Sequence, residues 1–171
     1  DSLSSRYTKA WAGAMAYTKQ VKAAAVLNNG FDSSFTGGDG VELFSLAHPL
    51  VSGGVNRNEP DTGSDLNETS LESAIIRIAG WTDERGLLIA ARPLKLIVPS
   101  ALQFVATRLL ETELRTATAD NDTNAIRAMG AVPQGFAVNH FLTDTNAWFL
   151  KTDVPNGLKY FVRTPMQTSM D

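Results

Sequence analysis

"LLIAARPLKLIVPSALQFVATRLLETE", residues 87–113, carries two periodicities side by side. Leu87 to Ala91 and Leu94 to Val98 are short apolar runs that read as strands. They are expected to form one strand pair bent at Arg92-Pro93, because proline donates no ladder hydrogen bond. From Pro99-Ser100 onward the apolar residues shift to helical spacing, with Leu102, Val105, Leu109 and Leu110 on one face. Strand running directly into amphipathic helix sets the class for the rest of the chain, which reads as α+β.

Upstream, Thr69-Ser70-Leu71-Glu72 matches a capping box, a hydroxyl followed three residues later by a carboxylate. Leu71, Ala74, Ile75 and Ile78 then predict a short amphipathic helix ending near Gly80, with "TDERG" as the next turn. A longer helix is expected over 6–26, started by Ser4 or Ser5 and stopped at Asn28-Asn29-Gly30. Its stripe of Tyr7, Trp11, Ala14, Thr18, Val21 and Ala25 favours a core helix with a solvated basic back over one facing nucleic acid. From Phe31 to Asn67, glycine, serine, asparagine and Pro60 predict an extended region holding one short strand, Val41 to Leu46. A loop of that length in a compact chain usually has a task, which marks it as a contact-making arm. Downstream, 116–134 reads as polar loop, and Phe136 to Leu142, Trp148 to Leu150 and Leu158 to Arg163 as strands. Asp1-Ser2 leads straight into a helix and "MQTSMD" follows a strand-like run, so the sequence reads as part of a longer polypeptide.

Composition removes several kinds of chemistry. The 171 residues contain no cysteine, which excludes disulfides, thiolate nucleophiles and Cys-ligated zinc. A net charge of −3 leaves no global footprint for nucleic acid. Charge is nevertheless uneven: Arg6, Lys9, Lys19 and Lys22 crowd the first thirty residues, whereas Glu59, Asp61, Asp65, Glu68 and Glu72 follow one another without a base. No apolar stretch approaches the about 20 residues of a membrane span.

The sequence holds no reactive constellation of recognised spacing. His48 precedes Pro49 and is biased to extended backbone, and His140 sits in an expected strand. Neither has a G-x-S-x-G elbow nearby, so both read as structural or interface residues. "DNDTN", residues 120–124, opens like a calcium loop, but Ala125 and Ala131 stand where glycine and glutamate are required. Ser52-Gly53-Gly54 lacks the lysine of a P-loop and reads as a flexible turn. We therefore expect no catalytic, cofactor-binding or metal-binding residues, and no enzyme.

The order of segments is more informative than any one of them. "GVELFSLAHPLVSGGVNRNEP" (40–60) precedes "SLESAIIRIAGWTDERG" (70–86), then the 87–113 stretch, then "HFLTDTNAWFLKT" (140–152). This succession resembles the major head (capsid) protein family of tailed bacteriophages, in its Mu-like branch, over roughly residues 40 to 152. The resemblance implies an HK97-like fold, with a peripheral-like region at 1–85 and an axial-like α/β region at 86–171. It implies a non-enzymatic subunit forming pentamers and hexamers of an icosahedral shell around viral DNA, located in the virion and assembled in the host cytoplasm. Partners would be other copies, portal or decoration proteins, and DNA held without sequence preference, with no membrane. His48, Pro49, Asn56, Arg57, Asn58, Glu59, Asp61 and Asp65 become subunit-interface candidates, and Arg6, Lys9 and Lys19 lumen-facing ones. Two other readings stand beside it: an encapsulin-like nanocompartment shell, and a small enzyme using the His48 and Ser52–Gly54 loop.

Overall fold

A computed structural model describes residues 3–115, 122–155 and 157–164. Helix α1 (Leu3–Asn28) is followed by a two-residue hairpin, β1 (His48–Pro49) against β2 (Val55–Asn56). Helix α2 (Glu68–Ala79) leads to β3 (Pro93–Val98), a 3-10 turn at Ser100–Leu102 and helix α3 (Gln103–Glu111). Helix α4 (Ala125–Ala128), β4 (Phe136–Val138) and β5 (Phe149–Thr152) complete the order. Helices and strands share one core, as the α+β reading requires.

β3 is the centre of a three-stranded sheet, parallel to β4 and antiparallel to β5. Leu96 and Val98 are completely buried beneath Leu71 of α2 and Ala106 and Leu109 of α3. Leu66, Ile126 and Val132 close the same cluster. Each fully buried leucine contributes about 1.5–3 kcal/mol, so a handful of side chains holds these elements together. Asn124 is the polar residue inside this region. Its side-chain amide donates to the Leu109 carbonyl at 2.8 Å and the Thr112 carbonyl at 3.0 Å, while its oxygen accepts from the Arg127 amide at 3.3 Å. It thereby closes the end of α3 and opens α4. The sequence read this stretch as surface loop; Asp120 and Asn121 of the calcium-loop reading lie outside the described residues.

Several local expectations are corrected. Residues 87–91 are not a strand: Asp83 accepts from the backbone amides of Arg85 and Leu87, folding 82–88 into its own turn, and Ala90 takes a left-handed φ of 51°. Residues 41–46 form no strand either, because Gly37 donates to Val41 at 2.6 Å and closes a turn instead. His140 stands in the turn after β4, and 158–163 pair with no strand among the described residues. The cap of α2 is Asn67 with Ser70, not Thr69 with Glu72; the two exchange backbone and side-chain hydrogen bonds at 2.9 Å.

Helix α1 departs most from its sequence reading. Only Ala24 is buried, and Tyr7 and Trp11 on the apolar stripe are 73% and 57% exposed. It is a largely solvent-facing helix held through its second half. There Asn28 donates to the Phe141 carbonyl at 3.0 Å and accepts from the Thr143 amide at 3.1 Å, and Tyr17 meets Phe141 edge-on. Phe31, Phe44 and Phe149 then stack the chain back onto β5. Gly30 is required at that bend, since a β-carbon would lie 2.6 Å from the Phe44 ring.

Candidate functional site: the 39–61 arm and its seam with the 82–89 turn

The arm is organised by asparagines. Asn58 accepts from the Ser45 amide at 2.9 Å, donates from its side chain to the Leu43 carbonyl at 2.7 Å, and returns its own amide to the Ser45 carbonyl at 3.2 Å. Three bonds around a buried Ser45 fix both legs of the loop. Between the legs, Leu50 and Gly53–Gly54 close the β1–β2 hairpin, with Gly53 at φ 88° and Gly54 at φ 95°. Those left-handed angles are why two glycines follow Ser52.

His48 has an acid partner that the sequence reading did not place. Its Nδ1 lies 2.6 Å from Asp39 Oδ2, nine residues earlier in the Gly37–Gly40 turn. The His48 hydrogen bond holds the Asp39 carboxyl below the usual range. His48 Nε2 is buried without a hydrogen-bond partner. The Ser52 hydroxyl is occupied elsewhere, donating to the Glu84 carbonyl at 2.6 Å, and the Gly53 amide is spent on the Leu50 carbonyl. Histidine and acid are therefore paired while the loop serine serves as a strut, an arrangement that locks a loop and activates no nucleophile.

Glu59 behaves differently from Asp39. Burial raises its pKa first, the charge of Glu42 adds to this, and His48 opposes it. Its carbonyl accepts from Arg77 of α2 at 2.9 Å, tying the arm to the core. Arg57 and Asp61 form an exposed ion pair one helical turn's distance apart in sequence. Asp65 contributes its backbone carbonyl to Ser70 and Asn67 of the α2 cap. Further on, Trp148 donates to the Ser64 carbonyl at 2.9 Å and draws the end of the arm onto the sheet.

The structure thus gathers His48, Asn56, Asn58 and Glu59 into one pinned loop. Pro49, Arg57 and Asp61 stand on its outside, and Asp65 at its base. Arg6, Lys9 and Lys19 are exposed on α1 and make no part of this loop. Asp39, Glu42, Ser45 and Arg77 were missed by sequence reading, as was the seam where Asn56 reaches the Thr82 carbonyl at 3.4 Å. A run of glycines around Asp39 marks a turn but gives no register for the histidine nine residues on.

Among the described residues no three acidic or histidine side chains converge as a metal ion would need, and no helix is long and apolar enough to cross a membrane. Residues 60–133 match the family described as Mu-like prophage major head subunit gpT. No match was found among curated proteins or among solved structures. All eight buried side chains of the core cluster, Leu66 to Val132, fall inside the matched span. The matched family is described as one of head subunits, a structural role.

Proposed function

We propose that this chain, whose folded core coincides with the match to a Mu-like prophage major head subunit, is a shell-forming subunit of a bacteriophage head. In this reading it adopts an HK97-like arrangement, with 1–85 the peripheral-like and 86–171 the axial-like region. The two share the Leu66–Val132 core, since Leu66 and Leu71 come from the first and Leu96, Val98 and Ala106 from the second. Copies close as pentamers and hexamers around viral DNA, in the virion, after assembly in the host cytoplasm. Portal and decoration proteins are further partners.

The observation that carries this is the coincidence of matched span and core. The 39–61 arm, with His48, Pro49, Asn56, Arg57, Asn58, Glu59 and Asp61, lies at a subunit contact together with Asp65 at its base. The exposed cations Arg6, Lys9 and Lys19 face the lumen, where phosphates are attracted without sequence preference.

The test is electron microscopy and sedimentation of the purified chain over a range of salt concentrations. Closed shells or capsomer-sized rings are expected. A small monodisperse species at all concentrations and salts would remove the proposal.

A further inference from the structure

Helix α1 carries an apolar stripe that the rest of the described chain leaves open. Tyr7, Trp11, Ala14, Thr18, Val21 and Ala25 recur at alternating spacings of four and three, the seam positions a and d of a coiled coil. On a helix of 3.6 residues per turn they fall within about 80° of the circumference, so they form one continuous face. Tyr7 to Val21 are exposed along it and Ala25 is half-buried. Thr18 suits such a face, because its hydroxyl is already satisfied by the Ala14 carbonyl at 2.9 Å. At its C-terminal end the stripe opens into a cleft of about 450 Å³, lined in part by Val21, Ala25, Phe141 and Leu142.

The charges on α1 say what covers it. The helix holds Arg6, Lys9, Lys19 and Lys22 and no acid. By the same helical arithmetic Lys19 and Lys22 flank one side of the stripe and Arg6 the other. Arg6 stands in the first turn, where a cation opposes the helix dipole, and the last turn has no base to support it. A helix in a protein draws most of its stability from packing one face, and α1 lacks that cover over its first half. We infer that α1 is the docking site for an acidic amphipathic helix of another protein, one with an apolar ridge at coiled-coil pitch bordered by carboxylates. A second copy has no such helix to offer: Leu71 and Ile78 of α2, and Ala106 and Leu109 of α3, already face their own core. Two α1 helices would set four cations against four. A phosphate backbone would meet the cations and leave Tyr7 and Trp11 uncovered. The inference stands apart from the head-subunit reading, which concerns copies of the chain and DNA.

The probe is a fluorescent three-heptad peptide with leucine at a and d and glutamate at e and g, titrated with the purified full chain and read by anisotropy. Saturable binding that weakens as salt rises is expected, with a twin peptide carrying lysine at e and g at least about ten-fold weaker. The Y7A/W11A double variant keeps its circular dichroism and melting temperature, because both side chains are exposed and alanine favours helix. It is expected to bind the acidic peptide at least about ten-fold less tightly. The K19Q/K22Q variant is expected to flatten the salt dependence. No binding, equal binding of the two peptides, or a Y7A/W11A variant that binds like the parent overturns the inference. A short DNA duplex that binds parent and Y7A/W11A alike, and more tightly than the acidic peptide, gives the face to phosphate and overturns it too. Loss of self-assembly in Y7A/W11A gives the face to a second copy, with the same consequence. The head-subunit reading survives each of these results, since it falls only if the parent chain forms no shells or rings.

Discussion

Glu59 and Asp39 flank His48 and respond to acid in opposite senses. Asp39 is held below its ordinary value of 3.8 by the His48 hydrogen bond, so its contribution is present above that value and is lost as pH falls through the lowered one. Glu59 is raised above 4.5 by burial and by Glu42, so its ionisation weakens the fold as pH rises past that value, and protonation relieves the penalty. Glu59→Gln is therefore expected to raise the melting temperature at pH 7 by about 1–2 °C, small because water still reaches the site. The gain should vanish near pH 4. A gain of equal size at both pH values, read by calorimetry, would show that the charge is not its source. Neither effect was visible in sequence, because both depend on a turn that brings Asp39 and Glu42 back toward residues 48 and 59.

Helix α2 shows how much of an element sequence can specify and where it slips. Its apolar spacing located the helix and its end, since Leu71 and Ile78 are the buried positions. Its start was misplaced by two residues, because Asn67 and Thr69 both precede suitable partners at three residues' distance. The structure chooses Asn67, whose neighbour Leu66 is buried in the core and fixes the entry angle. Asn67→Ala is expected to cost about 0.5–2 kcal/mol and Thr69→Ala less than about 0.5 kcal/mol. Urea titration of the two variants gives the comparison, and equal losses would return the cap to Thr69. Helix α1 is the contrasting case. Its periodicity and its end at Asn28 were legible, but a stripe does not reveal whether anything covers it. The 87–91 run failed for a local reason: Asp83 folds back on the amides of Arg85 and Leu87 before a ladder forms.

At the scale of the molecule, stability is concentrated between residues 66 and 132, while α1 extends away from this core from its anchor at Asn28. Hydrogen exchange of the unassembled chain should follow that division. Amides of β3 and α3 are expected to exchange about 100-fold or more slowly than those in the first half of α1. Equal protection along α1 would mean that the helix has a stabilising contact beyond its anchored end. The α+β class and the core strand and helix of 87–113 were legible because both periodicities occur in one stretch. The arm's internal order was not legible, because it is built from asparagine and serine side chains bonding to backbone, which leave no hydrophobic period.

On the proposed head-subunit reading, the sheet has a further consequence. Its two outer strands are only three and four residues long, and the longer β3 is enclosed between them. Short outer strands are poor templates for indiscriminate strand addition. Crowded subunits would then meet through side-chain surfaces with a defined geometry, and the backbone would be guarded against the endless cross-strand growth that turns a closed particle into a fibre.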